Sequence, residues 1–165
     1  MILYIARGII VKNIIEFYKN PNGSKPVLDF LEALKIAGET DSHFKTVSAL
    51  VVRGIEVLRD YGVQHCIQHL ATLSHEDGTP YTTTIVKDLK GYVPLLEFRI
   101  NWRPSALRIV FIEYPYQDDN YLVLMRAIIK GTTTDPAFEA IRDEAFNLIP
   151  DFIQDPKKYI NLPGE

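Results

Sequence analysis

Cysteine, long apolar runs and net charge are all scarce in this chain of 165 residues, and each scarcity excludes something. The single cysteine, Cys66, cannot close an internal disulfide and fits a reducing, cytoplasmic setting. No apolar run reaches the roughly 18 residues that a membrane-spanning helix needs, so no membrane segment is expected. The opening MILYIARGIIVKN is broken by Arg7 and lacks a convincing cleavage site, which argues against a secretory signal. A formal net charge of -3 does not advertise a nucleic-acid binder. The remaining composition, 47% apolar and 24% charged, is ordinary for a soluble globular protein, and the length suits a single domain over residues 1–165.

The richest stretch runs from Ile85 to Thr134. It holds three consecutive apolar runs, Val93–Ile100, Ala106–Tyr114 and Tyr121–Ile129, separated by the short polar breaks Asn101–Ser105 and Pro115–Asn120. Runs rich in β-branched and aromatic residues with breaks of hairpin length predict an antiparallel meander. Alternation places Leu96, Phe98 and Ile100 on one side of the first strand and Glu97 and Arg99 on the other. Cations recur along the meander: Lys87 and Lys90 before it, Arg99 and Arg108 within it, Arg126 and Lys130 on its last strand. Lys and Arg resist burial, so the expectation is that they share one open face or its rim. From Val86 to Arg108 there are five basic residues against two acidic ones, whereas Thr132 to the end has three against seven. That asymmetry suits an anionic ligand, and equally a solvated charged face.

Upstream, Ile9–Tyr18 reads as an early strand ended by the turn signal Asn20-Pro21-Asn22-Gly23. Val27, Phe30, Leu31 and Leu34 form the stripe of a short helix closed by Gly38. Asp41 is placed to cap a longer helix that runs to Tyr61. The two predict a helical hairpin packed on one face of the sheet. The series His65, Cys66, His69, His75 raises a metal site, but neither His-Glu-x-x-His nor a second close ligand pair is present. Surface histidines beside a small core cysteine are the other reading. Asp135 and Pro136, after Thr132–Thr134, open a last helix that Pro150 is expected to end, leaving a loose extension over 150–165.

The segments EFYKNPNGSKPVLDFLEAL, VKDLKG, LLEFRI, ALRIVFIEY and AIIKGTTTDPAFEAIRDEA together resemble the phage-derived, HigB-like branch of the RelE/ParE toxin superfamily, over about residues 14–145. The resemblance implies an α+β fold in which an antiparallel meander packs against an N-terminal helical hairpin, with a C-terminal helix. It implies the toxin of a type II toxin–antitoxin pair, an RNA-binding endoribonuclease that cuts messenger RNA on the ribosome without metal or other cofactor, and is held in check by a cognate antitoxin. Carried over by position, Lys87 and Arg99 would hold phosphate and Arg108 would neutralise the transition state. Lys130, with Lys90 and Arg126, would bind substrate. Gly131 stands where the family has a second lysine. The general base is unassigned, with Glu113, Tyr114 and Tyr116 nearby. Relatives of the same superfamily bind gyrase without cutting RNA, so a non-catalytic binding protein or an inactive prophage accessory protein is the alternative.

Overall fold

The computed structural model describes residues 2–4, 10–74, 78–130 and 135–164. Ile9, His75, Gly131 and Thr132–Thr134, singled out above, lie outside the described residues. Two strands come first, β1 (Ile2–Tyr4) and β2 (Ile10–Phe17). Three helices follow: α1 (Pro26–Ala37), α2 (Ser42–Tyr61) and the short α3 (Val63–Gln68). Strands β3 (Ala71–Ser74) and β4 (Pro80–Thr83) form a small antiparallel pair of their own. The meander is β5 (Val86–Asp88), β6 (Leu96–Trp102), β7 (Ser105–Tyr116) and β8 (Asp119–Lys130), and α4 (Pro136–Gln154) ends in a 3-10 turn at Pro156–Lys158.

Local signals set these boundaries. The Asp41 carboxylate accepts from the backbone N–H groups of His43 and Phe44, two of the otherwise unpaired donors at the start of α2. Pro26 occupies the first turn of α1, where its missing N–H costs nothing. Gly62, at φ 85°, stops α2 in a conformation that a side chain would disfavour.

The main sheet is six-stranded, in the order β1-β2-β8-β7-β6-β5. Its meander is antiparallel as expected, but β2 lies parallel to β8, pairing Ile14 with Tyr121 and Phe17 with Leu124, so the sheet is mixed. Nothing in the local wording of β2 encodes that partner, which is a hundred residues further along the chain.

Both faces of the sheet are covered. Phe98, Ile100, Leu107, Ile109, Phe111 and Leu124 pack against Val27 and Leu34 of α1 and Val47, Leu50, Val51 and Leu58 of α2. On the other side Val110, Ile112, Val123 and Met125 meet Ala145, Ile149 and Phe152 of α4. A bulge makes this possible: Val110 pairs with Arg126 but Phe111 with Leu124, so Met125 is an extra residue in β8. Met125 thus enters the α4 core while Arg126, next to it, reaches Glu144 of α4 at 3.0 Å.

The open face expected for the arginines is therefore corrected. Arg108 and Arg126 are only 5% and 9% exposed, and each is buried with a carboxylate partner, Glu97 and Glu144. A buried guanidinium is tolerable on those terms. Pro150 likewise does not end α4, which continues to Gln154. An interior proline costs about 3 kcal/mol in a free helix. Here Ile149 and the fully buried Phe152 on either side hold the helix in place, and burying one such side chain returns about 1.5–3 kcal/mol. The extension is not loose either. Tyr159 stacks on Tyr18 with ring centroids 5.2 Å apart, and its carbonyl accepts from Lys19 N at 2.9 Å.

The seat of α2 on the sheet depends on Gly54, where an added Cβ would stand 2.8 Å from the Phe98 ring. Phe98 is 1% exposed and has nowhere to retreat. Gly54→Val is expected to destabilise the fold by about 1–3 kcal/mol through overpacking. Val52→Ala, on the exposed side of the same helix, should change stability by under about 0.5 kcal/mol. Urea denaturation of both variants reads the difference, and equal midpoints would mean that α2 is not seated through Gly54.

Candidate anion-binding site

Strand alternation sets the floor of the site. Lys87 pairs with Glu97 across β5 and β6, Arg99 with Arg108 across β6 and β7, and Ala106 with Lys130 across β7 and β8. Because paired residues share a face, Lys87, Glu97, Arg99, Arg108 and Lys130 form one patch on the α4 side. The first turns of α4 stand over the end of this patch, so what remains is a cavity of about 730 Å³ rather than an open plain. Its α4 wall carries Asp135, Phe138, Glu139 and Arg142, residues that recur at helical spacing along one stripe. Six basic and three acidic side chains line the whole.

The charges on the floor do not balance. Arg108 Nε lies 2.6 Å from Glu97 Oε1, an ion pair whose N–H is out of line with the oxygen, and both side chains are under a tenth exposed. Arg108 Nη1 donates to Asn101 Oδ1 and to the Leu107 carbonyl, each at 2.8 Å. Its guanidinium is thus clamped on three sides. Arg99 stands directly opposite with its Nε buried and without a hydrogen-bond partner. Like charges facing each other across two strands repel, and one carboxylate serves both. Burial lowers the Arg108 pKa, the Arg99 charge lowers it further, and Glu97 resists. Lys130 is lowered the same way, by burial first and then by Arg108 and Arg99. A seated anion would relieve both.

Of the cations expected to act together, Lys87, Arg99, Arg108 and Lys130 line this cavity. Lys90 and Arg126 do not. Lys90 is exposed in the turn before β6, and the Arg126 guanidinium is spent on Glu144, Asn20 Oδ1 and the Met125 carbonyl. The base candidates also lie elsewhere: Glu113 accepts from Asn120 Nδ2 at 2.8 Å, and Tyr114 packs edge-on to Phe152 with Tyr116 beside it. Glu97, Phe138, Glu139 and Arg142 were not singled out as site residues. Their signal was the polar stripe at i, i+4 and i+7 from Asp135 in an otherwise apolar-faced helix.

The histidine and cysteine series does not assemble a metal centre, and no group of three or more ligands forms one among the described residues. His65 and His69 lie with ring centroids 4.4 Å apart on the surface, while Cys66 is 1% exposed. Among the described residues no helix is long and apolar enough to cross a membrane.

Comparison with known protein families, with curated proteins and with solved structures found no match to this chain.

Two measurements test this description. Glu97→Gln leaves Arg99 and Arg108 without their shared carboxylate, and removing one partner of a buried pair costs about 3–5 kcal/mol. Inorganic phosphate should restore more stability to this variant than to the parent in chemical denaturation; an equal response would mean that no anion binds between the two arginines. Burial alone pushes the Cys66 thiol up to about 11. It should therefore resist a thiol-specific disulfide reagent at pH 8 in the folded protein and react at once in denaturant, and prompt reaction without denaturant would show that the α3 core opens.

Proposed function

We propose that the cavity holds the backbone of an RNA strand, and that the protein is the toxin of a type II toxin–antitoxin pair of RelE/ParE type. In this reading it is a metal-independent endoribonuclease acting on messenger RNA at the ribosome, in the cytoplasm. The observation that carries it is the facing pair Arg99 and Arg108, short of one negative charge, with the Arg99 Nε buried and unmatched. A phosphodiester supplies that charge with oxygens suited to forked guanidinium donors. The order of strand, helical hairpin, meander and C-terminal helix agrees with the fold that the sequence resemblance implies.

In the reaction the ribose 2′-hydroxyl attacks phosphorus and the 5′-oxygen leaves, giving a cyclic phosphate and a free 5′-hydroxyl. Lys87 and Arg99 hold the non-bridging oxygens as negative charge grows on them, and Arg108 fixes the field from below. The hydroxyl proton passes to a carboxylate of the lining, of which Glu97 is the one on the sheet. An antitoxin would neutralise the protein by placing acidic side chains over the mouth of the cavity.

A second reading keeps the site and drops the chemistry. The clamping of Arg108 by Glu97, Asn101 and the Leu107 carbonyl favours it, since a guanidinium so committed has little left for a reacting phosphate. The protein would then be a binding module, gyrase-inhibitor-like or an inactive prophage accessory protein.

Expression in a bacterial host with mapping of message ends separates the two. Cut messages are expected from the parent. Arg99→Ala should lose about a hundredfold or more in cleavage while remaining folded, because Arg99 gives up no internal hydrogen bond at Nε. Arg103→Ala, an exposed cation of the β6–β7 turn, should lose little. Growth arrest without cut messages would replace the enzyme by the binding module, and undiminished cleavage by Arg99→Ala would remove the facing arginines from the site.

A further inference from the structure

The two walls of the cavity differ in chemistry. The sheet offers Lys87, Arg99, Arg108 and Lys130 against one carboxylate, whereas α4 offers two carboxylates, Asp135 and Glu139, together with Arg142. Arg142 is already ordered: its Cζ lies 4.1 Å from the centroid of the Tyr92 ring, and its Nη2 lies 3.0 Å from Asp143 Oδ1. A guanidinium plane stacked on an aromatic ring and lining a cavity is a platform for a second flat group.

Resting on the reading of the sheet as a phosphate site, we infer that the cavity binds one nucleotide whole, with its phosphate on the sheet and its base on the α4 wall, and that this wall selects guanine. The base lies against Arg142 as the next layer of the Tyr92–Arg142 stack. Its edge then meets Glu139, one helical turn earlier on the same face, with Asp135 a further turn back.

Guanine alone presents two adjacent donors, its ring N–H and its exocyclic amino group, which a carboxylate can accept together. Adenine and cytosine set one amino group beside a ring nitrogen that is an acceptor and would repel the carboxylate. Uracil flanks its one N–H with two carbonyls. Glu139 is exposed and bears no described hydrogen bond to the protein that would have to break first.

The test is calorimetric titration of the full chain with inorganic phosphate and with the four ribonucleoside 5′-monophosphates. The guanosine nucleotide is expected to bind about tenfold or more tightly than the uridine nucleotide. Glu139→Gln should remove most of that preference with phosphate affinity unchanged, and Arg99→Ala should weaken all four nucleotides alike. Equal binding of the four nucleotides, unaltered by Glu139→Gln, would overturn base selection while phosphate binding left the anion site standing. Failure of phosphate and of every nucleotide to bind the folded protein would take down the phosphate site, and base selection with it.

Discussion

A strand with both faces covered has no solvent in which to leave a charge, and β7 carries Arg108 in that position. The ion pair with Glu97 on the neighbouring strand is what makes the arrangement tenable. It also fixes where the rest can go. The pair sets the register of β6 on β7 as firmly as the apolar alternation does, since a slip of one residue would send both charges into the α1–α2 core. Farther along, α4 can lie flat on Val110 and Ile112, but it must stand off where Arg108 and Arg99 begin, and the standoff is the cavity.

The same logic explains why two arginines in similar sequence settings have different roles. Arg126 lies beneath the middle of α4, where Glu144 and Asn20 use up its donors, and it serves to fasten helix and turn to the sheet. Arg99 lies beneath the start of α4, on the strand farther from it, and meets another cation instead of an acid. Position under the helix separates a fastening from a binding group. The hydrogen bond between His43 and Ser105, at 2.8 Å, holds the start of α2 to the beginning of β7 on the opposite face, so the turn bordering the cavity is anchored from behind.

Much of the fold was legible in the sequence because its signals are local. Asp41, Gly38 and Gly62 mark helix ends by backbone chemistry that needs no tertiary partner, and the alternation of Leu96, Phe98 and Ile100 with Glu97 and Arg99 placed each on its observed side. The failures share a cause. The parallel pairing of β2 with β8, the β3–β4 pair, the continuation of α4 past Pro150 and the docking of Tyr159 all depend on surfaces supplied by remote segments. So does the difference between an open face and a covered one. Four of the six proposed cations were brought to one cavity, but their count could not reveal which would be neutralised by α4.

The join between β2 and β8 has a consequence for how the molecule comes into being. Asn13 and Asn120, hydrogen-bonded side chain to side chain, are 107 residues apart, and a β7–β8 hairpin is complete before that contact can form. During synthesis the N-terminal strand must wait, exposed and unpaired along one edge, until β8 has left the ribosome. Non-local closures of this kind come late and slow the final step of folding. The cavity, built from residues 87–142, requires α4 as well, so the basic floor is assembled and electrostatically active on the nascent chain before the wall that narrows it arrives.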